Sequence, residues 1–75
     1  MDVIEEAIEI IRKRRVEFDI IRIKNDRSIY PSEKRKQIII LVPELKSWPN
    51  ELFKILFREL TAVEKKYAKE AAYVT

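Results

Sequence analysis

The chain has 75 residues and a formal net charge of +3 at pH 7, which indicates one small domain, residues 1–75, with a mildly basic surface. It contains no histidine, cysteine or glycine, and this excludes catalysis by His or Cys, Cys/His zinc sites and glycine-rich phosphate loops. We therefore expect a domain that is not an enzyme and that needs no metal ion or other cofactor.

The first part of the chain predicts a helix and then a strand. Asp2 is a favourable N-terminal cap, and the apolar residues behind it follow helical spacing as far as Ile11. The basic residues at positions 12–15 complement the negative end of the dipole of this helix. From Val16 to Ile23, apolar and polar residues mostly alternate, which predicts a β-strand.

The middle of the chain predicts turns and further strands. Residues 24–27 and 31–34 have the Asn, Asp and Pro content of turns, and residues 28–30 form a short optional strand between them. Residues 37–42 are an almost wholly apolar run that ends at Pro43, which predicts a strand in the middle of a sheet.

The last predicted element is a helix that begins at the Ser-Trp-Pro-Asn sequence of residues 47–50. Its apolar face follows helical spacing from Leu52 to Tyr67. The element order predicts an α+β fold, a two-layer α-β-β-(β)-α domain in which two helices pack on a small antiparallel sheet.

The predicted elements also contain a pattern that is known from zinc peptidases. A strand at residues 38–41 is followed by a helix that carries ILFRELTAV at residues 55–63. This arrangement resembles the core of minimal zincins, in particular SprT-like metallopeptidases, whose motif is H-E-x-x-H. Arg58 and Ala62 take the two histidine positions, and Glu59 takes that of the glutamate. The resemblance implies a degenerate, zinc-free core, because Glu59 has no metal-bound water to activate. The alternative is an ordinary amphipathic helix.

Two basic clusters, residues 12–15 and residues 34–36, are the candidate contacts for nucleic acid. With three antiparallel strands, the two clusters would converge at one pole, next to the lysines near the end of the last helix. Such a pole suits the phosphates of DNA or RNA, with little sequence readout. The candidate nucleic-acid-binding residues are Arg12, Lys13, Arg14, Arg15, Lys34, Arg35 and Lys36. The alternative is that these cations cap a helix dipole and are neutralised by nearby acids; with only two strands, the convergence is lost.

Three aromatic residues near the start of the last helix are the candidate protein interface: Trp48, Phe53 and Phe57. Together with the rest of that helix, they provide more apolar surface than one other helix and a small sheet would cover. We therefore expect a homodimer, and a partner protein that binds by strand addition or helix docking is the alternative.

Composition also indicates where the protein works. The chain is rich in Ile, Lys and Glu, a bias typical of hyperthermophiles, so we expect an archaeal or viral source. The lack of cysteine and of any membrane-spanning apolar run predicts the cytoplasm, or the host cytoplasm for a viral protein. The resulting hypothesis is a small basic module that binds nucleic acid mainly through phosphates. The alternative is a protein-interaction domain on a zinc-free zincin-like core.

Overall fold

The computed structural model describes the backbone of residues 2–74 and the side chains of residues 2–70. The helices of this stretch are α1 Val3–Arg14, α2 Glu17–Asn25, α3 Pro31–Leu41 and α4 Asn50–Val74, with a 3-10 turn at Pro43–Leu45. No strand is present in the described backbone, so the expected α+β fold with its antiparallel sheet is wrong, and the fold is a small helical bundle. α1 and α4 occupy the positions predicted for the two helices.

The segment predicted as the first strand forms α2 instead. Ile20 and Ile23 are both buried, and residues three apart are neighbours on one face of a helix. Phe18, which would share a strand face with Ile20, is 67% exposed. Alternation over so few residues fits the repeat of a helix as well as that of a strand. Burial against the other helices selects the helix.

A sharp reversal of the chain separates α1 from α2. Arg15 has a left-handed backbone with φ 60°, and its N–H donates to the carbonyls of Arg12 and Ile11. Glycine usually occupies such a position at the end of a helix, because a Cβ is crowded there. Only Val16 lies between this residue and the start of α2, so the two helices meet at a tight corner.

The apolar run predicted as a central strand forms the second half of α3. This helix begins at Pro31, which suits the first turn because its missing N–H would have no partner there. Ile38 and Val42 are fully buried, whereas Ile40 between them is 77% exposed. In a strand these three residues would share one face, so the burial pattern belongs to a helix.

Every helix and the 3-10 turn contribute side chains to one core. Phe18 of α2 contacts Tyr67 of α4, and Lys24 near the other end of α2 contacts Thr61, so the two helices run antiparallel. None of the described helices is both long enough and apolar enough to cross a membrane. The buried core residues are Ala7, Ile11, Ile20, Ile21, Ile23, Ile38, Val42, Leu45, Phe53, Leu56 and Leu60.

Candidate nucleic-acid interface

The basic residues at the end of α1 are mostly paired with acids. Arg12 Nε lies 3.2 Å from a carboxylate oxygen of Glu17, and Lys13 Nζ lies 3.1 Å from one of Glu9. Lys13 and Glu9 are one helical turn apart, on the exposed side of α1. A phosphate would have to displace these carboxylates, which makes Arg12 and Lys13 weaker candidates for nucleic-acid contact.

Arg14 forms a two-pronged ion pair with Glu44 of the 3-10 turn. One hydrogen bond joins Arg14 Nη1 to Glu44 Oε1 at 2.6 Å, and the other joins Nη2 to Oε2. The hydrogen bonding from Arg14 holds the pKa of Glu44 below its ordinary value. The pair ties the end of α1 to the turn that precedes α4. Arg15, by contrast, is exposed and has no ion pair among the described residues.

The acid that pairs with Arg12 is a buried carboxylate. Glu17 is only 6% exposed, and its Oε1 accepts no hydrogen bond within the described part of the chain. The neighbouring Glu17 carboxylate also raises the pKa of Tyr67. A buried charge without a counterion is strongly destabilising, so Arg12 serves the fold at this position.

The second basic cluster lies on α3, and its members have different surroundings. Lys34 Nζ donates to the backbone carbonyl of Lys24 at 2.6 Å, which satisfies a carbonyl in the last turn of α2. Lys36 is exposed and has no ion pair among the described residues. Arg35 lies toward α4 and links the two helices.

Several contacts hold Arg35 against the start of α4. Its guanidinium carbon lies 4.5 Å from the centroid of the Phe53 ring, a cation–π contact. Nη2 donates to the carbonyl of Lys46 at 3.2 Å, and Nη1 donates to Asn50 Oδ1 at 3.5 Å. These contacts fix the guanidinium in place and leave part of its N–H donors open for a ligand.

A groove of about 510 Å³ runs between α3 and α4 beside this arginine, and we call it the α3–α4 groove. Two cations, Arg35 and Lys54, line it together with one acid, Glu51, while Phe53 and Phe57 form its apolar floor. Both helices begin here, so the positive ends of their dipoles add to the potential of the groove. The α3–α4 groove therefore combines an aromatic surface with a positive electrostatic potential.

Two further cations lie next to the α3–α4 groove without lining it. Lys46 lies at its edge, where its carbonyl accepts from Arg35, and Arg58 lies one helical turn beyond Lys54 on α4. Lys46, Lys54 and Arg58 are exposed and have no ion pair among the described side chains. Unlike the end of α1, this face therefore carries positive charge that ion pairs do not neutralise.

The convergence of basic clusters expected from the sequence depends on strands that the described backbone does not contain. Arg14 instead contacts the 3-10 turn, and Arg35 contacts the start of α4. Arg35 belongs to the set of basic residues that the sequence suggests, whereas Lys46 and the two cations of α4, Lys54 and Arg58, do not. Lys54 and Arg58 are four residues apart, which places them on one face of α4. This spacing identifies a binding surface only when the position of α3 is known.

The three aromatic residues expected at a protein interface pack against one another. The ring centroids of Trp48 and Phe53 are 5.9 Å apart, and those of Phe53 and Phe57 are 6.3 Å apart, both in edge-to-face geometry. Phe53 is 4% exposed and belongs to the core, while Trp48 and Phe57 are half-buried. Much of the apolar surface that the sequence assigned to an interface is therefore used inside the monomer.

The residues that carry the zincin resemblance lie on α4. Arg58, Glu59 and Ala62 are exposed there, and residues 38–41, which the resemblance places in a strand, are helical. The described part of the chain contains no group of three or more acidic residues that could hold a metal ion. No family model, curated protein or solved structure matches the chain. Function must therefore be inferred from geometry and charge.

Proposed function

We propose that this domain binds nucleic acid through phosphate contacts at the α3–α4 groove. The observation that carries the proposal is the combination of Arg35 and the unpaired Lys54 with the aromatic floor at Phe57. Binding to phosphates releases condensed counterions, which favours the complex. Exposed cations that lack an acid partner can contribute this favourable free energy in full. Arg35 adds a planar donor set that is already oriented by its own contacts.

The proposed contacts differ from those that the sequence alone suggested. Arg12, Lys13 and Arg14 have carboxylate partners, so a phosphate contact through them would break an existing ion pair. The cations beside the α3–α4 groove form no ion pair among the described residues, although Glu51 lines the same groove. The proposed contact residues are Arg35, Lys46, Lys54 and Arg58.

Fluorescence anisotropy tests this proposal, with labelled duplex DNA, duplex RNA and single strands titrated across a salt series. We expect the logarithm of the affinity to fall linearly with the logarithm of the salt concentration. The half-buried Phe57 offers a surface for an unpaired base, so single strands should bind at least as well as duplexes. Lys54→Ala should weaken binding and reduce the salt slope by about 0.7–0.9. Absence of binding at low salt would refute the proposal.

Lys13→Ala is the matched control for Lys54→Ala. Both residues are exposed lysines on helices, and both substitutions change the net charge by the same amount. Because Lys13 is paired with Glu9, its loss should change the salt slope much less than the loss of Lys54. Equal effects of the two substitutions would mean that binding follows net charge alone, and the groove would then lose its assigned role.

A further inference from the structure

The last turns of α3 carry apolar residues around the whole helix, and part of this surface faces solvent. Ile38 faces the core, whereas Ile40 faces away from it and is 77% exposed. Ile40 lines a second groove of about 450 Å³, between α2 and α3, in which Ile23 and Leu41 provide further apolar surface. We call this the α2–α3 groove. A single exposed isoleucine is ordinary, but one at the edge of a groove that has further apolar residues in its wall suits an interaction surface.

Acidic groups lie on the α2 side of this groove. Asp19 and Asp26 both line it, and so do Arg22 of α2 and Gln37 of α3. The Ser28 hydroxyl and N–H donate to Asp26 Oδ1 at 2.6 and 2.8 Å, and these hydrogen bonds, together with the nearby charge of Lys34, lower the pKa of Asp26. Asp19 is paired with Arg22 at 3.3 Å on the exposed surface of α2.

The α3 side supplies the opposite charge through Lys36. This lysine lies one helical turn before Ile40 on the same exposed face. It has no ion pair among the described residues, and it lines neither groove but lies beside the α2–α3 groove. One face of α3 therefore presents an isoleucine and a lysine next to a groove whose lining combines apolar residues with two acids and one arginine.

We propose that the α2–α3 groove is the contact surface between two copies of this chain. In a two-fold symmetric pair, Ile40 of each copy enters the groove of the other, and Lys36 of each copy meets the acidic side of the other. Each chain carries both the projecting side chains and the groove that would receive them, so a two-fold symmetric pair forms the same contact twice. This favours a second copy over an unrelated protein. Domains of 75 residues have small cores, so burial of two more isoleucines adds apolar contact that such a domain lacks.

Sedimentation velocity over a wide range of protein concentration tests the proposal. The wild-type mass should approach twice the 9.0 kDa of the chain as the concentration rises. Ile40→Glu should remain monomeric over the same range, because it removes the apolar contact and adds a carboxylate beside Asp19 and Asp26. Since Ile40 is exposed in the monomer, far-UV circular dichroism should stay unchanged. A wild-type chain that is monomeric throughout, or a dimer that survives Ile40→Glu, overturns the proposal.

Two further variants test whether this face is the specific contact. Ile55→Glu introduces the same charge at an exposed isoleucine of α4, outside the groove, and should leave the dimer intact. Lys36→Glu should weaken the dimer about tenfold, and adding Asp19→Lys should restore much of the loss. Equal disruption by Ile55→Glu and Ile40→Glu would show that the α2–α3 groove is not the contact.

Discussion

Arg15 occupies a backbone conformation that favours glycine, at the corner between α1 and α2. Arg15→Gly should raise the free energy of unfolding by about 0.5–1 kcal/mol, because glycine has no Cβ to crowd the left-handed region. Urea denaturation followed by circular dichroism measures the change. Lys13→Gly, inside α1, should instead cost about 1 kcal/mol. A loss of stability in Arg15→Gly would mean that the arginine side chain itself stabilises the corner.

The ion pair between Arg14 and Glu44 makes stability depend on pH. The pKa of Glu44 in the folded protein lies below the ordinary 4.5, so the folded state binds the proton less readily than the unfolded state. The stabilisation is therefore fully present above the ordinary pKa and is lost as the pH falls through the folded pKa. We expect the urea midpoint of the wild type to fall more, between neutral and acid pH, than that of Glu44→Gln.

Glu51→Gln is the control for the pH experiment, since many carboxylates titrate in the same range. Glu51 is exposed and has no ion pair among the described residues, so its variant should follow the wild-type pH dependence. If the wild type and both variants lose stability in parallel, the Arg14–Glu44 pair contributes nothing that depends on pH.

At the scale of the element, α3 can be distinguished from a strand by the effect of single substitutions on stability. Ile38 is fully buried and Ile40 is exposed, whereas in a strand the two residues would share one face. Ile38→Ala should therefore cost about 2–5 kcal/mol of unfolding free energy, and Ile40→Ala should cost little in the monomer. Urea unfolding at low protein concentration compares them. Equal losses would indicate that residues 38–42 alternate as a strand does.

The end helices could be predicted from the sequence because their apolar rows extend over three or more turns. The middle elements could not, because the period-two alternation at Val16, Phe18 and Ile20 covers only a few residues. Ile-rich segments also favour strands intrinsically, and that preference is small compared with burial in the tertiary structure. The buried pair Ile38 and Val42, together with exposed Ile40, identifies the helix only after its neighbours are in place.

The sequence suggests the kind of site that we propose, a phosphate-binding surface, but not its position. Basic residues on a small domain suggested a phosphate-binding surface, and Arg35 belongs both to the sequence-based set and to the α3–α4 groove. The acids that neutralise Arg12 and Lys13 are five and four residues away in the sequence, so these pairs were foreseeable in principle. The Arg14 partner, Glu44, is distant in sequence and comes close only through the packing of the 3-10 turn.

At the scale of the whole molecule, the distribution of charge matters more than its sum. The net charge of +3 would permit many surfaces, but the ion pairs within the described residues concentrate on α1, α2 and the residues they contact. The α3–α4 groove remains positive, while the α2–α3 groove has acidic groups and an exposed isoleucine. α3 thus separates two surfaces of different chemistry. A dimer through the α2–α3 groove would place two positive grooves in one particle, which would strengthen binding to a long strand.

Trp48 gives the molecule an intrinsic optical probe. It is the single tryptophan of the chain, and its indole packs against the Phe53 ring in edge-to-face geometry. Phe53 also carries the guanidinium of Arg35, which lines the α3–α4 groove. The emission of one fluorophore therefore reports both on the docking of the 3-10 turn against α4 and, through a shared aromatic neighbour, on events at the groove. Unfolding and ligand binding can thus be followed in the unmodified chain.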